Sequence, residues 1–186
     1  MSASGERASE VGGSEKALGA VVERDQLEQV IRAHSTYVAR LAYRVLGRDD
    51  EVNDLVQDVF VAYLRFHRTI REPEAVKGWL ATTVIRMAHK RLRARRFRLK
   101  IWLGLETDDR RHELPAPGLS SDDRAAFMSL HRALDRVPPK ARIAWVLRYL
   151  EQEQLEDVAR LCGCSLATTK RRIRLAHGVV QRTLTP

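Results

Sequence analysis

The stretch Leu155 to Val180 reads LEDVARLCGCSLATTKRRIRLAHGVV and has the pattern of two helices joined by a tight turn. Val158 and Leu161 follow the spacing of one buried helix face, and Gly163 permits a turn after them. Ser165 can cap the next helix, because its hydroxyl can accept a hydrogen bond from the first backbone N–H groups. The stretch therefore predicts a helix-turn-helix.

The second helix of this pair begins with short polar side chains and continues with cations. This order suits entry into a DNA major groove, because hydroxyl and guanidinium groups can meet base edges while Lys and Arg hold phosphates. A solvated basic helix is the alternative. On the side opposite its expected buried residues, the helix carries Thr168, Lys170, Arg171, Arg172 and Arg174, from which we predict DNA contacts.

The composition of the whole chain points to a polyanionic partner. Its 186 residues include 33 Lys and Arg against 24 Asp and Glu, a formal net charge of +9. Nucleic acid is the commonest partner of so basic a protein. The sequence has no apolar run of membrane-spanning length and no signal-peptide core. We therefore expect a cytoplasmic protein without membrane insertion.

The sequence offers little support for catalysis or metal binding. Its six histidines are scattered, and no Gly-rich phosphate loop or Ser-His-Asp arrangement stands out. Cys162 and Cys164 are its two cysteines, and no histidine lies near them at ligand spacing. The sequence predicts free thiols, no metal, no cofactor and no enzymatic activity.

Helical periodicity on both sides of a polar segment predicts an all-α fold. We expect two small helical domains joined by a flexible linker, the second of them a helix-turn-helix domain. Gly47 is expected to end the first helix, and Asp49 or Asp50 to cap the next. The predicted ranges are a disordered tail over 1–24, a first domain over 25–98, a linker over 99–121 and a second domain over 122–186.

The helix from Asp49 to Phe66, DDEVNDLVQDVFVAYLRF, has no Lys or Arg before Arg65. Acids at its start are explained by the helix dipole. Further along, one exposed face mixes acids and an amide with apolar side chains, namely Asp54, Gln57, Asp58, Val61 and Leu64. A solvated acidic face is one interpretation. The apolar members favour a second, in which this face binds a protein partner.

The helix that follows is strongly basic. Eight cations and no acid lie between Arg86 and Lys100, a pattern that predicts salt-sensitive phosphate binding. Trp79 lies two turns before Arg86. Its side chain is expected either in the core or as a platform for an unstacked base.

Segments from both halves of the chain resemble the bacterial sigma factors of the extracytoplasmic-function (ECF) group. The first half carries RLAYRVLG, DLVQDVFVAYLRF and GWLATTVIRMAHKRLR, which resemble sigma region two. The second half carries LDRVPPKARIAWVLRYLE followed by the helix-turn-helix, which resembles region four. The resemblance implies a subunit that binds core RNA polymerase, directs it to promoters and helps to open the duplex. A stand-alone helix-turn-helix regulator is the alternative.

The resemblance also implies partners for individual residues. The β′ clamp of the polymerase would bind Asp54, Leu55, Gln57 and Asp58, to which the apolar pattern adds Val61. The β flap, promoter DNA and an anti-sigma factor are the other implied partners. The minus-thirty-five element would be read by the second helix of the helix-turn-helix, the recognition helix, through Ser165, Thr168, Thr169, Lys170, Arg171, Arg172 and Arg174. The minus-ten element would contact Trp79, Arg86 and Lys90, together with Arg91 and Arg93 of the same basic run.

One departure from the family pattern concerns the minus-ten contact. The family often carries Asn and Asp where this sequence has Arg86 and Lys90. Two cations at these positions favour a contact that depends more on phosphates than on bases.

Overall fold

The computed structural model describes the backbone of residues 7–70, 72–101 and 121–184. Side chains are described from Leu27 onward, apart from five residues within helices: Asp49, Lys100, Ser121, Asp122 and Arg124. The described chain is helical and contains no strand, so the predicted all-α fold is confirmed. Its helices are α1 Arg7–Leu46, α2 Asp49–Phe66, α3 Ala75–Ile101, α4 Ser121–Asp135, α5 Pro139–Tyr149, α6 Leu155–Leu161 and α7 Leu166–Leu184, with a short 3-10 helix at His67–Thr69.

The N-terminal region differs from the expected disordered tail. Helix α1 already begins at Arg7, within the range predicted to be disordered, and residues 1–6 lie outside the described part. Glu15, Lys16 and Ala17 are strong helix formers, which favours continuation of the helix into this region. The chain divides into two compact units, Met1–Thr36 and Tyr37–Pro186.

The first domain is built from the end of α1, α2 and α3. Leu41, Leu55 and Leu80 are fully buried, as their helical spacing requires. Gly47 ends α1 as predicted, with a φ of +67° and its N–H donating to the carbonyl of Tyr43. Helix α3 continues to Ile101, a few residues beyond the predicted end of the domain.

The start of α2 differs from the prediction by one residue. Arg48 is the N-cap, in an extended conformation and without a side-chain cap hydrogen bond. Asp49 and Asp50 therefore lie in the first turn instead of at the cap. Their carboxylates are still favourably placed there, because the N-terminal end of a helix carries partial positive charge.

The second domain comprises α4 to α7. Helix α5 is buried along most of its length, from Ala141 to Leu147, and α7 packs against both α5 and α4. Helices α6 and α7 form the predicted helix-turn-helix, with Gly163 at a φ of +57° in the turn. Residues 102–120, most of the predicted linker, lie outside the described residues.

The two domains pack against each other within the second unit. Arg142 of α5 donates from Nε to the carbonyl of Val45 at 2.7 Å and from Nη2 to the carbonyl of Leu46 at 2.9 Å. These carbonyls are at the C-terminal end of α1, where helix carbonyls lack partners within the helix. Arg44 adds an ion pair to Glu151 at 2.8 Å. We call this packing of the second domain on the first the closed arrangement.

None of the described helices combines the length and apolar character needed to cross a membrane.

Candidate polymerase and nucleic-acid interfaces

The acidic face of α2 consists of Asp54, Gln57, Asp58, Val61 and Leu64, and all five side chains are exposed. Val61 is 43% and Leu64 is 42% exposed, which is high for branched apolar residues placed side by side with acids. Burying their apolar surface against another protein would be favourable. The geometry of this face therefore fits a protein-binding surface better than a purely solvated one.

Leu55 does not belong to this face. It is 0% exposed and lies in the core of the first domain, so the prediction that it contacts polymerase is wrong for this structure. The helical period explains the difference, because Leu55 shares its face with the buried residues Val52 and Val59.

Asp58 already has a partner within the chain. Its Oδ2 accepts from Nη2 of Arg91 at 2.6 Å, while Nη1 of Arg91 donates to the carbonyl of Glu51 at 2.7 Å. Arg91 was expected to contact DNA, but the structure places it between α3 and α2. The pair is only partly buried, with the Asp58 side chain 59% exposed, so Asp58 remains available to a partner.

Arg95 is a second cation of α3 that is neutralised inside the molecule. It lies 2.9 Å from Glu51, outside hydrogen-bonding geometry, and 3.6 Å from Asp135 of α4. The expectation of an uncompensated basic run therefore holds only for part of α3. From Arg86 onward, the exposed cations of this helix among the described side chains are Arg86, Lys90, Arg93, Arg96 and Arg98.

Trp79 is half-buried, which is intermediate between the two positions predicted for it, in the core or as an accessible platform for a base. Its ring meets the Tyr63 ring edge-on, with the centroids 5.9 Å apart, and another part lines a groove shared with Arg86. Glu153 and Asp157 of the second domain line the same groove, which has a volume of about 580 Å³. Lys77 and Arg160 line it as well, so in the closed arrangement the groove presents both acids and cations around Trp79.

The turn of the helix-turn-helix is held by Ser165, as predicted. Its Oγ accepts from the N–H of Thr168 at 3.3 Å. Thr169, in contrast, is 0% exposed, and its hydroxyl donates to the carbonyl of Ser165 at 3.1 Å. A buried hydroxyl with a backbone partner cannot reach a base edge, so Thr169 is removed from the DNA-reading surface.

The other predicted DNA contacts on α7 divide into two groups. Lys170, Arg171 and Arg174 are exposed, which suits phosphate or base contacts. Thr168 and Arg172 are half-buried, and Nη1 of Arg172 donates to Sγ of Cys164 at 3.1 Å.

Arg172 and Arg86 line the same small cavity between the domains. We call this the interdomain cavity; it has a volume of about 230 Å³, and its polar and charged lining residues include Arg86, His89, Lys140 and Arg172. Burial, followed by the charges of Lys140, Arg93 and Arg172, lowers the pKa of His89. The structure thus brings together two cations that the sequence predicts for two different promoter elements.

Cys162 also lines this cavity. Burial raises the pKa of its thiol to about 11, with the neighbouring Cys164 as a smaller cause. Both cysteines are free thiols, as expected from the sequence. No group of three or more His, Cys, Asp or Glu side chains suited to a metal ion occurs in the part of the chain that the structure describes.

Sequence reasoning missed Arg142, which is 2% exposed. It binds the end of α1, pairs with Asp135 and contacts Nδ1 of His131 at 3.0 Å. The one available signal was its position, because it is the single charged residue in the apolar run from Ala141 to Leu147.

Comparisons with known proteins agree with this architecture. Residues 30–98 match the Sigma-70 region 2 family, and residues 127–176 match the Sigma-70, region 4 family. RNA polymerase sigma factor SigV of Bacillus subtilis is 28% identical over 155 residues, which cover 83% of this chain and 89% of SigV. ECF RNA polymerase sigma factor SigE of Mycolicibacterium smegmatis is 31% identical over 147 residues, which cover 78% of this chain and 56% of SigE.

A solved structure shows the same fold. The sigma factor RpoE from Bartonella quintana, in complex with the anti-sigma factor NepR, superposes with a TM-score of 0.62 at 24% identity. The superposition covers 87% of this chain and 95% of RpoE. With both sigma regions present in the expected order, the chain belongs to the sigma-70 family and is an RNA polymerase sigma factor of the ECF group.

Proposed function

We propose that the acidic face of α2 docks on the β′ clamp of core RNA polymerase. The observation that carries this proposal is the exposure of Val61 and Leu64 beside Asp54 and Asp58, on a helix that carries no cation before Arg65. Complementary charge on the clamp would speed the encounter and select the partner, while the apolar pair would add affinity on burial.

The exposed cations of α3 are our proposed contacts for the minus-ten element. Arg86, Lys90 and Arg93 are exposed on this helix, and Trp79 lies at its start with part of its ring accessible. Cations can hold the phosphates, and an aromatic ring can stack on a base that has left the duplex. Arg91 is not included, because it is engaged with α2.

The exposed part of α7 is our proposed reader of the minus-thirty-five element. Lys170, Arg171 and Arg174 are exposed along a helix that follows a well-formed turn. A recognition helix of this kind enters the major groove with its N-terminal part. Ser165 and Thr168 stand at that end of the helix.

Binding both elements requires the closed arrangement to open. The two elements lie roughly 25 base pairs apart, or ~85 Å at 3.4 Å per base pair. Arg86 and Arg172 line one cavity of about 230 Å³, so they cannot contact both elements at once in this arrangement. Docking on polymerase would supply the free energy for separating the domains.

Two further partners belong to the proposal. The β flap is expected to bind the second domain and hold it at the upstream element. An anti-sigma factor is expected because RpoE, which shares the fold, is in complex with NepR.

The test of polymerase docking uses single substitutions on α2. We expect Asp54→Arg and Val61→Asp each to weaken binding to core polymerase at least tenfold, because they remove charge and apolar complementarity. Fluorescence anisotropy of labelled sigma factor with core polymerase measures the affinity. Glu72→Arg is the control, since Glu72 is an exposed acid of the same domain away from α2.

The same proteins are then used in run-off transcription. Wild type and Glu72→Arg should initiate on promoters of the source genome, whereas the two α2 variants should need more protein. Unchanged core affinity of both α2 variants would refute docking by this face. Specific duplex binding without polymerase, combined with no initiation, would favour the stand-alone regulator.

A further inference from the structure

We propose that the interdomain cavity is a binding site for a small anion bearing a phosphate or pyrophosphate group, and that the bound anion favours the closed arrangement. The site is formed by Arg86 of α3, Lys140 of α5 and Arg172 of α7. Both domains contribute, so the site exists only while they are packed together.

The charge of the cavity is positive and is not balanced by its own walls. The lining residues include no Asp or Glu. Cys162 adds no negative charge near neutral pH, because burial raises its pKa to about 11. Arg86 and Lys140 form no ion pair or hydrogen bond with another described residue. An anion would therefore meet Arg86 and Lys140 without a competing partner among the described residues, while Arg172 donates to Sγ of Cys164.

Other contacts between the domains show a different pattern. There cations face acids, as in the pairs Arg40–Glu151, Arg44–Glu151 and Arg95–Asp135. At the cavity the closed arrangement brings cations together, at an electrostatic cost. A bound anion would turn that repulsion into attraction, so it would stabilise the packed state over the open one.

The volume of the cavity suits a small ligand group. A volume of about 230 Å³ is below the usual range for drug-sized ligands but is ample for a phosphate or pyrophosphate. A neighbouring groove of about 850 Å³ shares His89 and Lys140 with the cavity and carries the exposed ring of Phe97. A nucleotide could place its phosphates in the cavity and its base against that ring.

The regulatory consequence rests on the proposed function. Arg86 is a promoter contact in that proposal, and Arg172 lies on α7, the helix proposed to read the upstream element. An anion that engages both would keep these two helices from DNA. Phosphate binding itself depends only on the cavity. A failure of transcription would therefore leave the binding experiment informative, and a failure of binding would leave the sigma factor function intact.

The test measures binding of inorganic pyrophosphate and of ATP to the full chain, without magnesium, by isothermal titration calorimetry. We expect one site per chain, weakened at least tenfold by Lys140→Ala. Lys140 is exposed and belongs to neither proposed promoter contact, so the variant should fold. Arg182→Ala removes an exposed cation that lines neither the cavity nor the groove, and it should bind like wild type.

Two results would overturn the site. One is no binding of either probe at an ionic strength matched with sodium chloride. The other is equal weakening by Lys140→Ala and Arg182→Ala, which would mean general attraction to a basic surface. Tighter binding of ATP than of pyrophosphate, lost in Phe97→Ala, would support the site with a nucleotide as the ligand. Equal affinities would support it with a free anion.

Two structural readouts complete the test. Bound anion should raise the pKa of His89, followed by NMR, because it offsets the cations that lower that pKa. Small-angle scattering should show an equal or smaller radius of gyration with pyrophosphate. A larger radius would refute the claim that the anion favours the closed arrangement.

Discussion

Gly47 is constrained both by its backbone conformation and by a neighbouring side chain. Its φ of +67° ends α1, and an added Cβ would collide with the ring of His131 from the second domain. Gly163 has a similar φ of +57°, but a Cβ there would meet nothing within 4 Å. A side chain at Gly163 would therefore meet backbone strain alone, whereas a side chain at Gly47 would meet both backbone strain and a steric clash.

This difference leads to a matched pair of substitutions. Gly163→Ala should lower the free energy of unfolding by about 1 kcal/mol, the usual cost of an L-residue in the left-handed region. Gly47→Ala should cost clearly more, because the buried His131 ring has to move as well. Urea unfolding measures both values. Equal losses would mean that His131 is not packed on Gly47.

His131 should make stability depend on pH. Burial, followed by the charges of Arg142 and Arg95, lowers its pKa from 6.5 to about 3 in the folded chain. Between these values the unfolded chain binds the proton and the folded chain does not, so stability is full above pH 6.5 and falls toward pH 3. From pH 7 to pH 5, titration of His131 should lower the free energy of unfolding by about 2 kcal/mol.

The comparison uses His131→Asn, which keeps an acceptor near the position of Nδ1 for Arg142. Urea unfolding of both proteins at pH 7 and pH 5 measures the change. The variant should lose about 2 kcal/mol less than wild type over this interval. Identical losses in the two proteins would show that His131 is not the titrating group.

At the scale of the helix, α7 has one buried side and one exposed side. Thr169, Ile173 and Ala176 are buried, which leaves Lys170 and Arg171 as the exposed cations of its first turns. A cation that binds a DNA phosphate displaces a counterion. Each such cation therefore adds nearly one to the steepness of the plot of log affinity against log salt concentration.

The double variant Lys170→Ala and Arg171→Ala should therefore lower the salt slope of promoter binding by about 2. Filter binding of the polymerase holoenzyme over a range of salt concentrations measures the slope. Arg132→Ala with Arg136→Ala removes two exposed cations of the same domain outside the helix-turn-helix and should leave the slope unchanged. Equal slopes for both double variants would refute the orientation of α7.

At the scale of the whole molecule, Arg142 connects the two domains through the end of α1. Removing its side chain would leave the carbonyls of Val45 and Leu46 buried without these partners. The loss is on the order of 3 kcal/mol, and it falls on the packing between domains, because both carbonyls belong to the first domain.

Arg142→Met should therefore open the closed arrangement and increase the radius of gyration in small-angle scattering. Arg148→Met is the matched control, since Arg148 donates to the carbonyl of Glu153 within the second domain. An unchanged radius for Arg142→Met, with the fold intact by circular dichroism, would show that other contacts hold the domains together.

Much of the local architecture was predictable from the order of residues. The end of α1 at Gly47 and the turn at Gly163 both follow from spacing within a few residues. The exposed acids of α2 and exposed cations of α7 also follow from the helical period. The start of α1 was not predicted, because Gly and Ser near the N-terminus concealed a run of helix formers.

By itself, the sequence determined the helices, their order, the helix-turn-helix and the separation of acidic from basic faces, since each depends on neighbours within one or two turns. Only the tertiary structure decided that Arg91 pairs with Asp58 of α2. It also decided that Arg142 reaches Val45, 97 residues away. The physical reason is that hydrogen bonds and charge pairs between distant segments depend on how helices pack, and helical periodicity carries no information about that.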